Sequence, residues 1–101
     1  MTTLADWLER HTSQAPVALR ARVRDLALTV DAGATLPDAL AEAGRRGLGN
    51  VVAHPGDRSV ALDLLAADAL VTLALLAQAQ IAPERLGDFA ATVLHSGSAR
   101  P

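Results

Sequence analysis

The sequence predicts an all-α protein, built as a compact bundle of four to five helices around one central apolar helix. Of its 101 residues, 50% are hydrophobic and only 2% are aromatic, so Ala, Leu and Val supply most of the apolar content. Ala and Leu are strong helix formers, whereas the aromatic and β-branched residues that favour strands are scarce. A further observation is the stretch 57–81, whose large apolar side chains surround the whole helical wheel. Such a pattern is typical of a buried helix.

The central helix is predicted over residues 57–80. Val60 and Leu64 take one side of its wheel, while Leu62 and Leu65 take the other. At a rise of 1.5 Å per residue the stretch would span roughly 37 Å, which is about the width of a small domain. We therefore expect this helix to run through the middle of the bundle, with the other helices packed around it.

Membrane insertion and export are not predicted for this chain. Asp63 and Asp68 interrupt the apolar stretch, and an Asp at the centre of a bilayer costs about 3 kcal/mol. The longest part without charge or amide groups, residues 69–77, has about half of the roughly 20 residues that a membrane span needs. The N-terminus lacks the basic and apolar regions of a signal peptide, and the chain has no Cys. We therefore expect a cytoplasmic protein without a membrane span.

The first helix is predicted over residues 3–12. Thr3 is followed three residues later by Asp6, which resembles a capping box, and apolar residues recur at helical spacing. Trp7 is the only Trp, and we interpret it as the anchor that holds this short helix on the core. Stacking on a ligand is the alternative role for this side chain.

Two more helices are predicted before the central one. The second runs from Pro16 to about Asp31, with Gly33 in the left-handed conformation that ends many helices. The third begins at Thr35, which is followed by a first-turn Pro and an acidic residue. Its glycines at positions 44, 47 and 49 each cost about 1 kcal/mol relative to Ala inside a helix. We therefore expect the third helix to break or loosen between residues 47 and 50.

The last helix is predicted to begin at Pro83 and to end at Gly97. Its apolar stripe consists of Leu86, Phe89, Ala90, Val93 and Leu94. Because a chain of this length can bury only a single modest core, we expect one domain over residues 1–96. A disordered polar tail is expected over residues 97–101.

No combination of residues predicts catalysis, a cofactor or a metal site. His11, His54 and His95 lack the spacing that places two metal ligands on one helical face, and no hydroxyl has a general base at motif spacing. The net charge of -2 lacks the positive footprint of a nucleic-acid binder. All nine basic residues are Arg, which fits a bacterial genome rich in GC. We therefore predict no enzyme, no cofactor and no nucleic-acid partner.

Asp63 and Asp68 are the most informative polar residues, because carboxylates are rarely buried without a partner. They lie about 140° apart on the wheel, so they do not form a catalytic pair. We expect each of them to mark a point where the helix surfaces or to pair with an arginine. A polar group at the mouth of a ligand pocket is the alternative. The available arginines are Arg20, Arg24, Arg45, Arg46 and Arg58.

Three arginines lie close together in the second helix. Arg20 and Arg24 share one face, whereas Arg22 points about 200° away from Arg20. A solvated face is the simplest interpretation of the pair that Arg20 and Arg24 form. An anion site or a contact with an acidic partner is the alternative.

The sequence therefore predicts a small helical interaction module that self-associates or docks on a protein partner, without catalytic activity of its own. A homodimer is expected, since an apolar helix needs neighbours on every side and the other helices cover it only partly. The alternative is a binder of a small apolar ligand, which requires a cavity on the order of several hundred Å³. The predicted ligand or partner contacts are Asp63, Asp68, Arg20, Arg24, Arg45, Arg46 and Trp7. The expected dimer contacts are residues 70–76 or the small-residue line Ala39, Ala43 and Gly47.

Overall fold

A computed structural model describes residues 3–30, 33–54, 56 and 58–98 of the chain. Within these ranges there are five α-helices, one 3₁₀ turn and no strand, so the predicted all-α class is confirmed. The helices are α1 (Leu4–His11), α2 (Val17–Ala27), α3 (Leu36–Ala53), α4 (Ser59–Ile81) and α5 (Leu86–Ser98). The 3₁₀ turn, Pro83–Arg85, lies directly before α5.

The first and third helices begin as the sequence predicts. The Thr3 hydroxyl accepts a hydrogen bond from the Asp6 amide at 3.1 Å, and the Thr35 hydroxyl accepts one from the Asp38 amide at 3.4 Å. Each bond satisfies one of the amide groups that the first turn of a helix leaves without a partner. The predicted N-cap of α4, Asp57, lies outside the described residues.

The second helix ends four residues earlier than predicted, at Ala27 instead of about Asp31. The Leu28 amide still bonds four residues back, to the Arg24 carbonyl, but the next two amides bond three residues back: Thr29 donates to the Leu26 carbonyl at 3.2 Å and Val30 to the Ala27 carbonyl at 3.3 Å. The Thr29 hydroxyl also donates to the Leu26 carbonyl, at 2.7 Å, and such side-chain bonds compete with helix continuation. The predicted cap at Gly33 is wrong too, because the C-cap of α2 is Leu28.

The third helix is continuous, so the break expected between residues 47 and 50 is wrong. Two of its three glycines lie where α4 approaches: a methyl group on Gly44 would lie 3.0 Å from Val71 Cγ2, and one on Gly47 would lie 3.1 Å from Ala67 Cβ. Close packing against α4 offsets the low helix propensity of glycine. The small-residue line therefore serves contact within the chain.

The fourth helix is central, as predicted. It packs against α2, α3 and α5, and its contact with α3 is the most extensive in the fold. The buried residues of α4 are Asp63, Ala66, Ala67, Leu70, Ala74 and Ala77. Its opposite face is open to solvent, since Leu64 is 49% exposed and Leu65 is 56% exposed. The other helices of the described chain therefore cover α4 on one side only.

Residues Val60–Ile81 of α4 are long and apolar enough to cross a membrane, by length and composition alone. In the most apolar window of this stretch, 39% is buried within the protein. The central helices of globular proteins share this length and composition.

The fifth helix extends to Ser98, one residue beyond the predicted end at Gly97. Phe89 packs against the core, and four of the five stripe residues are half-buried. Leu94 departs from the predicted stripe, since 73% of it is exposed. Residues 99–101 lie outside the described part of the chain, and the limits of the domain stay a prediction.

Candidate functional site

Asp63 is the one charged residue in the core of the described chain, and it is 8% exposed. Arg22 of α2 donates its Nε–H to the Asp63 carboxylate. This partner is not among the arginines that the sequence offered for Asp63. Arg22 reaches Asp63 because it flanks the buried face of α2, one residue before Val23 and one turn before Leu26. The ion pair therefore belongs to the contact between α2 and α4.

Asp68 lies on the exposed side of α4. None of the arginines in the described residues pairs with its carboxylate. Of the two outcomes expected for this residue, the structure shows that the helix surfaces here. Its charge is therefore available to a molecule outside the chain.

Arg45 and Arg46 both pair with Glu42 on the same helix. Arg45 Nε lies 3.0 Å and Arg46 Nε lies 3.2 Å from a Glu42 carboxylate oxygen. Hydrogen bonds from Arg45 are the main reason why the pKa of Glu42 is lowered, and the same contact raises the pKa of Arg45. Arg46 also donates to the Thr29 carbonyl at 2.6 Å. These arginines therefore tie α3 to itself and to the end of α2, and neither pairs with Asp63 or Asp68.

A groove of about 280 Å³ between α1 and α2 is lined by Arg20 and Arg24. Glu9 and Asp25 line the same groove, so the formal charges of its four ionisable residues cancel. The Arg20 Nε is buried without a hydrogen-bond partner among the described residues. Because two carboxylates line the groove together with the two guanidinium groups, the groove does not concentrate positive charge for an anion.

Trp7 is buried, with 5% of its surface exposed. Its ring stacks on His11 with a centroid distance of 4.0 Å. Its indole N–H donates to Gln80 Oε1 at 3.3 Å, which joins α1 to the end of α4. This environment agrees with the interpretation of Trp7 as the anchor of the first helix.

A second groove of about 260 Å³ lies between α3, α4 and α5. Its apolar lining includes Leu48, Val71, Phe89 and Val93. A third groove of about 390 Å³, which includes Asp38 and Arg85, lies next to it. All three grooves open to solvent, whereas the largest core side chains, such as Leu40, are fully buried.

The described residues contain no group of three or more His, Cys, Asp or Glu side chains that could hold a metal ion. His11 Nδ1 lies 2.9 Å from the Trp7 carbonyl and His54 Nδ1 lies 3.2 Å from the Asn50 carbonyl. Each contact spans one helical turn at a helix C-terminus. These two histidines therefore have structural surroundings within their own helices.

The exposed apolar side chains of α3 and α4 form the most distinctive feature of the surface. Leu48 and Val52 lie one turn apart on α3, and on α4 Leu64, Leu65 and Leu76 are between 40% and 56% exposed. Some of the dimer contacts expected from the sequence are buried inside the chain. Leu70 and Ala43 have no exposed surface, and Ala39 is 4% exposed, whereas Leu76 is 40% exposed. An all-round apolar helix does not reveal which face stays uncovered, so sequence reasoning missed Leu64 and Leu65.

No protein-family model matches the chain, and neither a curated protein nor a solved structure is significantly similar to it. The interpretation of function therefore depends on the surfaces and grooves of the described residues.

Proposed function

We propose that this chain is a small helical interaction module, which self-associates as a homodimer or docks on a protein partner and has no catalytic activity of its own. One observation carries the proposal: nine large hydrophobic residues of the described chain are exposed, four of them on the central helix. Leu64 and Leu65 are neighbours on that helix, and contiguous exposed apolar surface on a small protein marks an interaction site. The exposed leucines of α4 are therefore the centre of the proposed contact.

A small apolar ligand is the second candidate, and the groove between α3, α4 and α5 favours it. The groove combines Leu48, Val71, Phe89 and Val93 with the charged rim of Glu42 and Arg45. Its volume of about 260 Å³ is below the roughly 300 to 1,000 Å³ of enclosed ligand pockets. The groove is also open to solvent, which supports the interaction module over the ligand binder.

The proposed setting is the bacterial cytoplasm, without a membrane span and without nucleic acid. Support comes from Asp63 and Asp68, which place two carboxylates within the apolar part of α4, where a bilayer would penalise them. The net charge of -2 is unfavourable for a surface of phosphates. An apolar protein surface is the partner that agrees best with both features.

The mass of the protein in solution tests the proposal. Light scattering and sedimentation equilibrium across the micromolar range should show a mass that rises from 10.4 kDa, the mass of one chain, towards twice that value. A constant mass of one chain would contradict the homodimer. The proposal would then be reduced to docking on a different protein.

The ligand alternative has a separate test. A fluorescent apolar probe such as anilinonaphthalene sulfonate is titrated into dilute protein, and Val93→Asp places a charge on the wall of the groove. Strong binding that this variant abolishes would favour the ligand binder. Weak binding that the variant leaves unchanged would favour the interaction module.

A further inference from the structure

The outer face of the first half of α4 combines exposed leucines with a small residue. Ala61 is exposed, and Leu65, one turn later, is 56% exposed. Leu64 beside them is 49% exposed. Such a surface lets another helix approach closely at Ala61 and bury large side chains on either side of it.

Two charged residues flank these apolar residues, and neither has a hydrogen-bond or ion-pair partner for its side chain among the described residues. Arg58 lies one residue before α4 in helical conformation, with φ of -61° and ψ of -35°. Asp68 follows it by ten positions in the sequence, or about 15 Å along the helix axis. Arg58, Leu65 and Asp68 lie within about 80° of one another on the wheel, so all three belong to the exposed face.

We propose that two copies of this chain pair antiparallel through the first half of α4, about a two-fold axis at the level of residue 63. In this register, Arg58 of each copy faces Asp68 of the other. The same register places Ala61 of one copy level with Leu65 of the other, so that a small side chain faces a large one. This inference rests on the proposed self-association, for which it specifies the surface and the register.

The positions of the charges favour a second copy over an unrelated partner. In an antiparallel helix pair, a two-fold axis places the N-terminal part of one helix beside the C-terminal part of the other. A positive residue before the axis and a negative residue after it therefore form the same ion pair twice, once on each side of the axis. Asp63 is the only other charged residue between positions 58 and 81, and Arg22 already neutralises it. Within α4, no like charge therefore opposes this register.

The apolar and the charged residues have different roles in the dimer. Burial of Leu64 and Leu65 provides most of the affinity, because apolar area removed from water is the main favourable term in association. The two ion pairs lie at the rim, where water and salt screen them, and they select the antiparallel register. Added salt should therefore weaken the dimer slightly without abolishing it.

Charge reversal tests the register directly. At low ionic strength, Arg58→Glu and Asp68→Arg should each raise the dimer dissociation constant about tenfold, since each turns two attractive contacts into two repulsive ones. The double variant restores both attractions with reversed sign, and its dissociation constant should return to within about threefold of the original. A double variant that is weaker than either single variant would overturn the register.

A pair of exposed leucines tests the surface. Leu65→Ser should abolish dimerisation in the micromolar range. The control is Leu28→Ser. Leu28 directly follows α2 and is 60% exposed, and its replacement should leave the dimer dissociation constant unchanged. If Leu65→Ser and both charge variants leave the dimer intact, this surface is wrong while self-association stands. If the original protein is monomeric at every concentration, self-association itself is wrong.

Cysteine crosslinking tests the orientation independently of affinity, because the chain has no Cys of its own. A mixture of Ala61→Cys and Leu65→Cys proteins should form a disulfide between unlike chains under mild oxidation. Thr72→Cys, at an exposed position on the same face but in the second half of α4, should stay uncrosslinked. Crosslinking at Thr72 in place of the mixed pair would overturn the proposal.

Discussion

Arg22 of α2 and Asp63 of α4 form an ion pair inside a contact that is otherwise apolar. The Arg22 side chain keeps 30% of its surface exposed, whereas the Asp63 side chain keeps 11%. The carboxylate is thus the more buried partner, and it depends on Arg22 for compensation of its charge. Loss of one member of such a pair costs more than the pair itself contributes, because the other member stays buried without a partner.

Asp63→Ala should lower the free energy of unfolding by about 1 to 3 kcal/mol, since it leaves Arg22 without its acceptor. Arg22→Ala should cost at least as much, because it leaves the more buried Asp63 carboxylate without its partner. Urea denaturation followed by circular dichroism measures both. The matched control is Asp68→Ala on the exposed face of the same helix, which should stay within about 0.5 kcal/mol of the original protein when both are dilute enough to be monomeric. Equal losses for Asp63→Ala and Asp68→Ala would contradict the assigned environments.

The glycines of α3 should respond in opposite directions to the same substitution. Gly44→Ala places a methyl group 3.0 Å from Val71 Cγ2 and 3.3 Å from the Ala67 carbonyl oxygen. Overpacking of this kind costs about 1 to 3 kcal/mol. Gly49→Ala meets nothing within 4 Å, and the gain in helix propensity should stabilise the protein by about 0.5 to 1 kcal/mol. Thermal unfolding measures the stability of both variants. If Gly44→Ala stabilised the protein, α4 would have to move away from α3 without cost, which would contradict the close packing at Gly44.

The anchor of α1 can be divided into an apolar part and a hydrogen bond. Gln80→Ala removes the acceptor of the Trp7 indole N–H and should cost about 0.5 to 1 kcal/mol. Trp7→Ala removes the buried ring as well and should cost about 3 to 5 kcal/mol. Trp7→Phe, which keeps an aromatic ring, should fall between them. Urea denaturation monitored by circular dichroism ranks the three variants, and a larger loss for Gln80→Ala than for Trp7→Ala would contradict the buried position of Trp7.

The ion pairs of Glu42 should make a contribution to stability that depends on pH. The pKa of Glu42 in the folded protein is lowered from 4.5, chiefly by hydrogen bonds from Arg45. Folding therefore favours the carboxylate form, and its contribution is complete above pH 4.5 and is lost as the pH falls through the lower pKa of the folded state. Because these side chains are partly exposed, we expect Glu42→Gln to cost at most about 1 kcal/mol near neutral pH.

The test is the difference in unfolding free energy between Glu42→Gln and the original protein across the acid range. That difference should shrink as the pH is lowered past 4.5. Arg45→Gln removes the main partner and should reproduce most of the loss near neutral pH. A difference that stays constant with pH would mean that the Glu42 charge contributes nothing to stability.

The sequence predicts the helical class, the central helix and two N-caps correctly, because these depend on local patterns. Thr3 and Thr35 cap their helices through bonds that span three residues, and such contacts are visible in the sequence alone. The apolar wheel of α4 likewise identifies the helix that the others pack against. The wheel does not show from which direction the other helices approach α4.

The errors arise where contacts between helices decide the outcome. Helix propensity predicted a break after Gly47, yet Gly47 lies so close to Ala67 and Leu26 that packing keeps the helix intact. Arg22 was missed as the partner of Asp63 because a helical wheel shows only how residues are arranged around one helix. It does not show which side of α2 faces α4. Arg22 reaches Asp63 because it flanks the buried face of α2, beside Val23.

The hydrogen bond between Trp7 and Gln80 spans 73 residues, whereas α3 and α4 meet through one short connection. Closing a long loop costs more chain entropy than closing a short one, and contacts between neighbouring segments form early in folding. The hairpin of α3 and α4 is thus the expected folding nucleus, and α1 docks after the rate-limiting step. We therefore expect Trp7→Ala to act mainly by speeding unfolding and Gly44→Ala to act mainly by slowing folding, a division that stopped-flow kinetics measures.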